Sequence, residues 1–310
     1  MEIEHHNLRS ALAWATSSAD RAAIAIEFGY LIHPFWLTRS HIYEARRWLN
    51  EILAHDYPPD RTRADLFRFA SDYASVQGDY ETARNLEKQA LGISKTLEDE
   101  DGIYYSLDGM ATLAGKLGDY AQTEKLLEEV LAYRRHTKDK ARLPLTLNNL
   151  AIAARRLGKL ERAEQLFTEV ISLSRDSDNF DSLSHALLGL SEIHVDSKRY
   201  EEAIRLQQES LAIRHNLGAV GSVAYALSSL AVSFHHLGNS VLATQLESAS
   251  DAIRQQLGVV VFPATAAEKE KFREELRTGL GNDEFEAIWA KAKEMPLDEI
   301  VALAMRQVNH

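Results

Sequence analysis

Cysteine is absent from this 310-residue sequence, which excludes disulfide bonds and thiolate metal ligands. Long apolar runs are absent too. The longest, from Ala22 to Ile32, is interrupted by Glu27 and is much shorter than the roughly 20 residues that a membrane-spanning helix needs. We find no signal-peptide pattern, so we expect a cytoplasmic protein that has no membrane partner.

The short motifs that mark most active sites are also missing. Gly115-Lys-Leu and Gly158-Lys-Leu lack the flanks of a phosphate-binding P-loop. The sequence contains no G-x-S-x-G motif, no H-E-x-x-H zinc motif and no cysteine nucleophile. We therefore expect no enzymatic activity and no cofactor. An enzyme whose site these motifs do not describe is the remaining alternative.

Basic residues are fewer than acidic ones, 35 against 46, which gives a formal net charge of −11. A polyanion is a poor partner for such a chain, so we expect no direct nucleic-acid binding. The histidines include two adjacent pairs, His5-His6 and His235-His236. Adjacent residues point to different faces of a helix and cannot hold one metal ion together, so we expect no metal site.

What the sequence does contain is a helical period. Between Pro144 and Leu173 two amphipathic stretches meet at Gly158, a residue that can take the positive φ of a helix end. Their apolar residues are Leu147, Leu150, Ala151, Ala154 and Leu157 in the first, and Ala163, Leu166, Phe167, Val170 and Ile171 in the second. The pattern predicts two helices joined by a tight turn.

This hairpin recurs at a period of about 40 residues. The first helix of each copy carries a large apolar residue and, four positions later, a small one; the second helix carries another small residue. The large column comprises Phe67, Leu107, Leu147, Leu187 and Leu227. The small columns comprise Ser71, Ala111, Ala151, Ser191 and Ala231 in the first helices, and Ala83, Thr123, Ala163, Ala203 and Ala243 in the second. Small residues let two helices cross closely, and the fixed period predicts an all-α solenoid of stacked hairpins.

Both ends of the chain depart from this register. An N-terminal helix and a further hairpin, with Ala45 at a small position, are expected before the first full repeat near residue 64. The stretch Gly258-Val-Val-Val-Phe-Pro263 breaks the helical period and is expected to be extended and to pack on the last hairpin. The predicted domains are a solenoid at 1–257, a connector at 258–266 and a helical cap at 267–310. Helices are expected in the C-terminal part near 266–278, 282–293 and 297–308. A separate regulatory domain is the alternative to a cap.

Most copies have a large residue, then a small one, then a tyrosine or leucine after the turn, and then an alanine. This order resembles the tetratricopeptide repeat. The stretch Leu147-Asn-Asn-Leu-Ala is similar to the version of this repeat in kinesin light chains. The period here exceeds the usual length of about 34 residues, and the late proline of the family is missing. The resemblance implies a right-handed solenoid of about six hairpins.

The two ends resemble a bacterial signalling family. The stretches Glu4–Ala15, Pro34–Trp36 and Glu44–Leu49 look like the segment after the nucleotide-binding and winged-helix domains of STAND-type NTPase regulators of the AfsR/LuxR-like kind. Leu280–Ala290 and Met295–Ala304 resemble their closing helices. The resemblance implies a sensor arm that binds an inducer or partner protein and controls an NTPase core, in cis or in trans, in transcription regulation. A free tetratricopeptide adaptor that binds a peptide or protein is the alternative.

The tetratricopeptide resemblance also implies a ligand site on the concave face, at positions one, five, eight and nine after each Leu147-type anchor. Asn148 and Asn149 are notable there, because asparagine is unfavourable inside helices whereas its amide can pair with a peptide backbone. The candidate groove comprises Arg68, Asp72, Asp108, Thr112, Asn148, Asn149, Ile152, Arg155, Arg156, Leu188, Glu192, Ser228, Val232, His235 and His236. Its mixed charges suit a peptide, a protein segment or a small charged inducer. A solvated face, with Asn148 hydrogen-bonded to the neighbouring hairpin, is the alternative.

Overall fold

The computed structural model describes residues 5–38, 42–137, 140–258 and 263–306, most of which are helical. The helices are α1 (His5–Thr16), α2 (Ala22–Thr38), α3 (Ile42–Leu53), α4 (Arg61–Val76), α5 (Tyr80–Thr96), α6 (Glu100–Lys116), α7 (Tyr120–His136), α8 (Leu143–Arg156), α9 (Leu160–Asp176), α10 (Phe180–Asp196), α11 (Tyr200–Asn216), α12 (Val220–His236), α13 (Ser240–Leu257), α14 (Pro263–Leu280), α15 (Asn282–Lys293) and α16 (Leu297–Ala304). No strand occurs in these ranges, which confirms the prediction of an all-α fold. None of the helices described is long and apolar enough to cross a bilayer.

Tight turns with left-handed backbone separate the two helices of a repeat, as the glycine spacing predicts. The turn glycines have positive φ angles of 80°, 86°, 77° and 84° at Gly78, Gly118, Gly158 and Gly238. In the turn after α10, Lys198 takes the equivalent position with φ of 58°. The acidic residue that follows a glycine then caps the next helix, as Asp79 does by accepting a hydrogen bond from the Thr82 N–H at 3.2 Å.

The chain divides into two compact units, which we call unit 1 (Met1–Ala114) and unit 2 (Gly115–His310). Unit 1 contains α1 to α5 and most of α6. The hairpin predicted before the first repeat is present as α2 and α3, and Ala45 of α3 is fully buried. In the next hairpin the Ser71 hydroxyl donates to the carbonyl oxygen of Ala83 at 3.1 Å. The small columns therefore mark the close crossing of α4 and α5.

Unit 2 contains α7 to α16. Its small columns are fully buried at Ala151, Ser191, Ala231, Ala163, Ala203 and Ala243. The first helices of successive hairpins pack side by side, because α8 and α12 both contact α10. Taken along the whole sequence, α2 to α13 form about six helix pairs, in agreement with the prediction.

The last three helices follow α13 outside the repeat register. α15 and α16 begin at the predicted residues, whereas α14 already begins at Pro263, a residue that suits the first turn of a helix. Residues 263–266 of the predicted connector are therefore helical and not extended. Gly258 ends α13 with a left-handed φ of 64°, and residues 259–262 lie outside the described residues. Phe285 and Ile300 bury their side chains in one core with Leu246 of α13, so α15 and α16 cover that end of unit 2.

Candidate functional site

The candidate residues of unit 1 do not form an open binding surface. Arg68 is buried, and its Nη1 donates to the carbonyl oxygen of Gly102 on α6 at 3.3 Å. Asp108 is buried as well, and the exposed Thr112 donates its hydroxyl back to the Asp108 carbonyl oxygen at 3.0 Å. Asp72 is exposed. The expectation that Arg68 and Asp108 line an accessible groove is not supported, because packing within unit 1 removes both side chains from solvent.

Glu87 on α5 is an ionisable residue that the sequence analysis did not single out. It is 2% exposed, and burial raises the pKa of its carboxyl group to about 8. The negative charge of Asp72 raises this pKa further, while the Ser71 hydroxyl and the Arg68 cation oppose the shift. Gly109 makes room for the carboxyl group, because a Cβ at that position would overlap Oε1 of Glu87.

A signal for Glu87 was present in the repeat register. The other members of its column are Leu127, Phe167, Gln207 and Glu247. All of these residues are buried. A carboxyl group in a core column is unusual, and its position alone could have indicated a perturbed pKa.

Asn148 is the most unusual candidate in unit 2. The residue is 4% exposed, and its Oδ1 atom is buried without a hydrogen-bond partner among the residues described. The alternative expectation, a hydrogen bond to the neighbouring hairpin, is therefore not met by Oδ1. Leaving a buried acceptor unpaired costs roughly 1–3 kcal/mol. Asn149 is half-buried, and Ile152, one turn after Asn148, is exposed, so this side of α8 reaches solvent.

Arg155 lies two turns after Asn148 on the same side of α8. Its Nε and Nη2 donate to the carboxylate of Asp196 at 2.6 and 3.1 Å, and its Nη1 donates to Glu192 at 2.6 Å. Both acidic residues belong to α10. The guanidinium group is thus bound by two carboxylates of its own chain. Arg155 and Glu192 tie α8 to α10 and are not free to contact a ligand.

Arg156, the next residue, turns to a different helix. Its Nη1 donates to Oε1 of Glu268 on α14 at 2.6 Å, and its guanidinium lies 5.9 Å from the centre of the Tyr120 ring. The Glu268 side chain is 59% exposed, so water reaches this ion pair. A solvent-accessible carboxylate on an arginine is a position that an acidic ligand group can also take.

Two candidates on α12 also contact α14. The Ser228 hydroxyl donates to Oε2 of Glu247 at 2.5 Å and accepts from Nζ of Lys269 at 2.7 Å. The ring of His235 meets the edge of Phe272 at a centroid distance of 5.7 Å. Ser228 and His235 therefore both lie beneath the same helix as Arg156.

The remaining candidates of unit 2 serve other contacts. His236 stacks on Tyr200 of α11 at 4.8 Å, and burial lowers the pKa of its imidazole. Leu188 is buried and Val232 is half-buried. Over the described ranges, no three histidine or acidic side chains converge as metal ligands.

Three of the candidate residues, Arg156, Ser228 and His235, contact the same helix, α14. We define the inner face as the side chains of Asn148, Ile152, Arg156, Ser228 and His235, which belong to α8 and α12. These side chains provide an amide acceptor, an apolar contact, a cation, a hydroxyl group and an imidazole. Such a set suits a ligand that combines peptide groups with a carboxylate.

Comparison with known proteins agrees with this architecture. Family models of the tetratricopeptide repeat match residues 103–176 and 183–217. A comparison with curated proteins finds no match.

Solved structures share the fold at low identity. A Rap protein complexed with Competence and Sporulation Factor has a TM-score of 0.67 and 13% identity, over 90% of this chain and 74% of that chain. The apo form of RapI has a TM-score of 0.66 and 16% identity, over 83% of this chain and 95% of that one. A STAND protein with a tetratricopeptide repeat sensor, PH0952 from Pyrococcus horikoshii, has a TM-score of 0.57 and 15% identity. That match covers 92% of this chain and 46% of the STAND protein.

Proposed function

Because this chain is built from tetratricopeptide repeats, we propose that it is a non-catalytic binding protein that takes a peptide or protein segment on the inner face of unit 2. The observation that carries this proposal is Arg156, whose ion-pair partner Glu268 is exposed and can be replaced by an acidic group of the ligand. The buried Oδ1 of Asn148, on the same helix, lacks a donor. A peptide N–H can supply that donor once the side chains that bury this oxygen move aside.

The similar folds support a role in signalling. The Rap protein is complexed with Competence and Sporulation Factor, and PH0952 carries its repeats as a sensor. We propose that this chain is likewise the sensor arm of a bacterial, cytoplasmic STAND-type transcription regulator, whose NTPase core is present in cis or in trans. A ligand on the arm controls such a core only if it binds the resting and active states with different affinities.

A stand-alone adaptor that binds one peptide or protein is the second candidate. It is favoured by the inner face itself, which requires no NTPase to bind a segment. A P-loop NTPase that is encoded in frame upstream of Met1, or that copurifies with the chain, would decide for the sensor arm. The absence of both, together with a stable complex between the chain and a peptide, would decide for the adaptor.

The binding site is tested by selecting peptides from a displayed library against the full chain and measuring their affinity by calorimetry. We expect Asn148→Ala and Arg156→Ala each to weaken binding by about 1–3 kcal/mol, because each removes a polar partner of the ligand. The matched control is Arg162→Ala on α9, which removes an exposed ion pair with Glu128. Unchanged affinity in both inner-face variants would place the site elsewhere.

The same variants separate binding from folding. Asn148→Ala deletes a polar group that has no intramolecular partner at its oxygen, so the melting temperature is expected to stay the same or to rise. A large drop in melting temperature would make Asn148 a structural residue and would remove it from the proposed binding site.

A further inference from the structure

The inner face of unit 2 already has an occupant, helix α14. Glu268 places its carboxylate on Arg156 at 2.6 Å, and the next residue, Lys269, donates to Ser228 at 2.7 Å. One turn later Phe272 packs against His235. Three inner-face side chains are thus engaged by a segment that follows the repeats and does not share their register.

Charged contacts hold α14 at this position more than apolar burial does. Of its 18 residues, Leu276 near the C-terminal end is the one whose side chain is fully buried. Lys269 and Arg273 each pair with the buried Glu247 of α13 at 3.4 Å, and Arg273 also pairs with Asp251 at 2.5 Å. Because a buried carboxylate without its cations is costly, the first three turns of α14 leave the face only when a partner supplies a cation in their place. Leu276 can then stay in the core of unit 2.

The fit of α14 is also incomplete. Its described contacts engage Arg156, Ser228 and His235 but leave Oδ1 of Asn148 without a partner. A segment that makes the same contacts, and that shifts the side chains burying Oδ1 so that it also donates a hydrogen bond there, can bind this face better than α14 does.

We propose that α14 stands in for the natural partner, and that the partner is a protein helix which carries a carboxylate, a cation at the next position and an aromatic residue three positions further. This inference rests on the proposed function and specifies its ligand. The carboxylate binds Arg156, the cation binds Ser228 beside the buried Glu247, and the aromatic ring packs on His235. Partner binding then requires α14 to move away from the face.

Competition with a tethered segment has a predictable size. A segment attached by a short linker has an effective concentration of about 1 mM, which a free partner must overcome. The apparent dissociation constant of the partner is raised in proportion to the fraction of chains in which α14 covers the face. Locking or releasing α14 should therefore change partner affinity without any change in the face itself.

The sequence offers a clean way to lock α14. The chain has no cysteine, so an introduced pair has no other thiol of its own chain to bond with, and the monomer formed by oxidation at low protein concentration is isolated by size exclusion. A Cβ built on Gly118 lies 3.7 Å from Cβ of Ala264, within the range of about 3.5–4.5 Å found in disulfides. Gly118 has a φ of 86°, which strains any other residue. The oxidised and reduced forms of the same Gly118→Cys, Ala264→Cys variant share that strain, so each is the control for the other.

The probe is a labelled synthetic peptide of residues 263–280, titrated into the full chain by fluorescence anisotropy. We expect the oxidised form to bind the probe at least about tenfold more weakly than the reduced form, because the disulfide keeps the tethered copy in place.

Glu268→Arg should release α14, by placing like charge beside Arg156, and should tighten probe binding about tenfold relative to wild type. The control on the same helix is Glu270→Arg, at an exposed position, with no expected change.

The measured affinities of the probe decide whether α14 occupies the binding face of the partner. Equal affinity in the oxidised and reduced forms, or no probe binding by the Glu268→Arg variant, overturns it. The proposed function is judged separately with the library-selected peptides. If these bind in an Asn148-dependent manner but do not respond to the disulfide, the binding face stands and the role of α14 is wrong. If no selected peptide depends on Asn148 or Arg156, the proposed function fails as well.

Discussion

Arg155 and Arg156 are neighbours on α8, yet successive helix residues point about 100° apart and these two meet different partners. Arg155 is bound by Glu192 and Asp196 of α10, whereas Arg156 pairs with the exposed Glu268 of α14. The helical period predicted the side of the helix on which each residue lies. It could not predict the partners, because Glu268 is 112 positions away in the sequence.

The two arginines should therefore differ in their effect on stability. Arg155→Ala leaves two carboxylates of α10 without their cation, and we expect the free energy of unfolding to fall by about 1–3 kcal/mol. Arg156→Ala removes an ion pair whose carboxylate is solvent-exposed, and should cost no more than about 1 kcal/mol. Urea denaturation of both variants, with Arg162→Ala as an exposed control, measures the difference. Equal losses for Arg155 and Arg156 would contradict these assignments.

Glu87 predicts a pH dependence of stability. The pKa of its carboxyl group is about 8 in the folded chain, against an ordinary value of 4.5, so the folded state keeps a proton that the unfolded state releases. The contribution of Glu87 to stability is complete below about pH 4.5 and is lost as the pH rises to about 8. We expect the stability of wild type to decline between these values relative to Glu87→Gln, with a slope of at most about 1.4 kcal/mol per pH unit.

Urea midpoints at several pH values, compared between wild type and Glu87→Gln, provide this measurement. Glu81→Gln at an exposed site of the same helix is the control and should follow wild type. Parallel pH profiles for wild type and Glu87→Gln would show that Glu87 is ionised in the folded chain.

The positions of the helices were the feature that the sequence predicted best. Large and small residues recur at fixed positions of each repeat, and the structure has helix pairs at the positions that this recurrence predicts, including the pair formed by α2 and α3. The position of α14 could not be predicted in the same way. The period ends near residue 257, and contacts of α14 with α8 and α12 depend on tertiary packing and not on any local pattern.

The small columns give a stability prediction for the hairpins. Ala151 on α8 and Ala163 on α9 are fully buried. Replacing either by leucine inserts atoms into a close helix contact, and should lower the free energy of unfolding by about 1–3 kcal/mol. Ala121→Leu at an exposed position of α7 is the control, expected to stay within about 0.5 kcal/mol. A melting curve for Ala151→Leu that matches the control would show that the register is misassigned.

The C-terminal helices give a solubility prediction. Deleting residues 282–310 removes α15 and α16 and exposes apolar side chains of the last hairpin, including Leu246 and Leu230. The shortened chain should aggregate, because terminal repeats need a covering element with a polar outer surface. Light scattering coupled to size exclusion detects this. A monodisperse product with unchanged melting would identify α15 and α16 as an independent module.

At the scale of the whole molecule, the chain combines repeated helix pairs with one helix outside the repeat register, α14, that contacts α8 and α12 of unit 2. The repeats were predictable because a single pattern is copied along the chain, and each copy reinforces the assignment of the others. The binding role of the inner face stays a prediction. Arg156, Ser228 and His235 all contact α14. Arg68 and Asp108 are buried in unit 1, because register places a residue on a helix face without revealing what covers that face.

The location of the binding face is tested most directly by hydrogen–deuterium exchange of the full chain, with and without a library-selected peptide. Backbone amides that bind or are covered by the ligand exchange more slowly, and amides of a displaced helix exchange faster. We predict slower exchange in α8 and α12 together with faster exchange in the first turns of α14. Protection confined to the second helices α9 and α11, or to unit 1, with α14 unchanged, would contradict both the inner face as the binding site and α14 as its occupant.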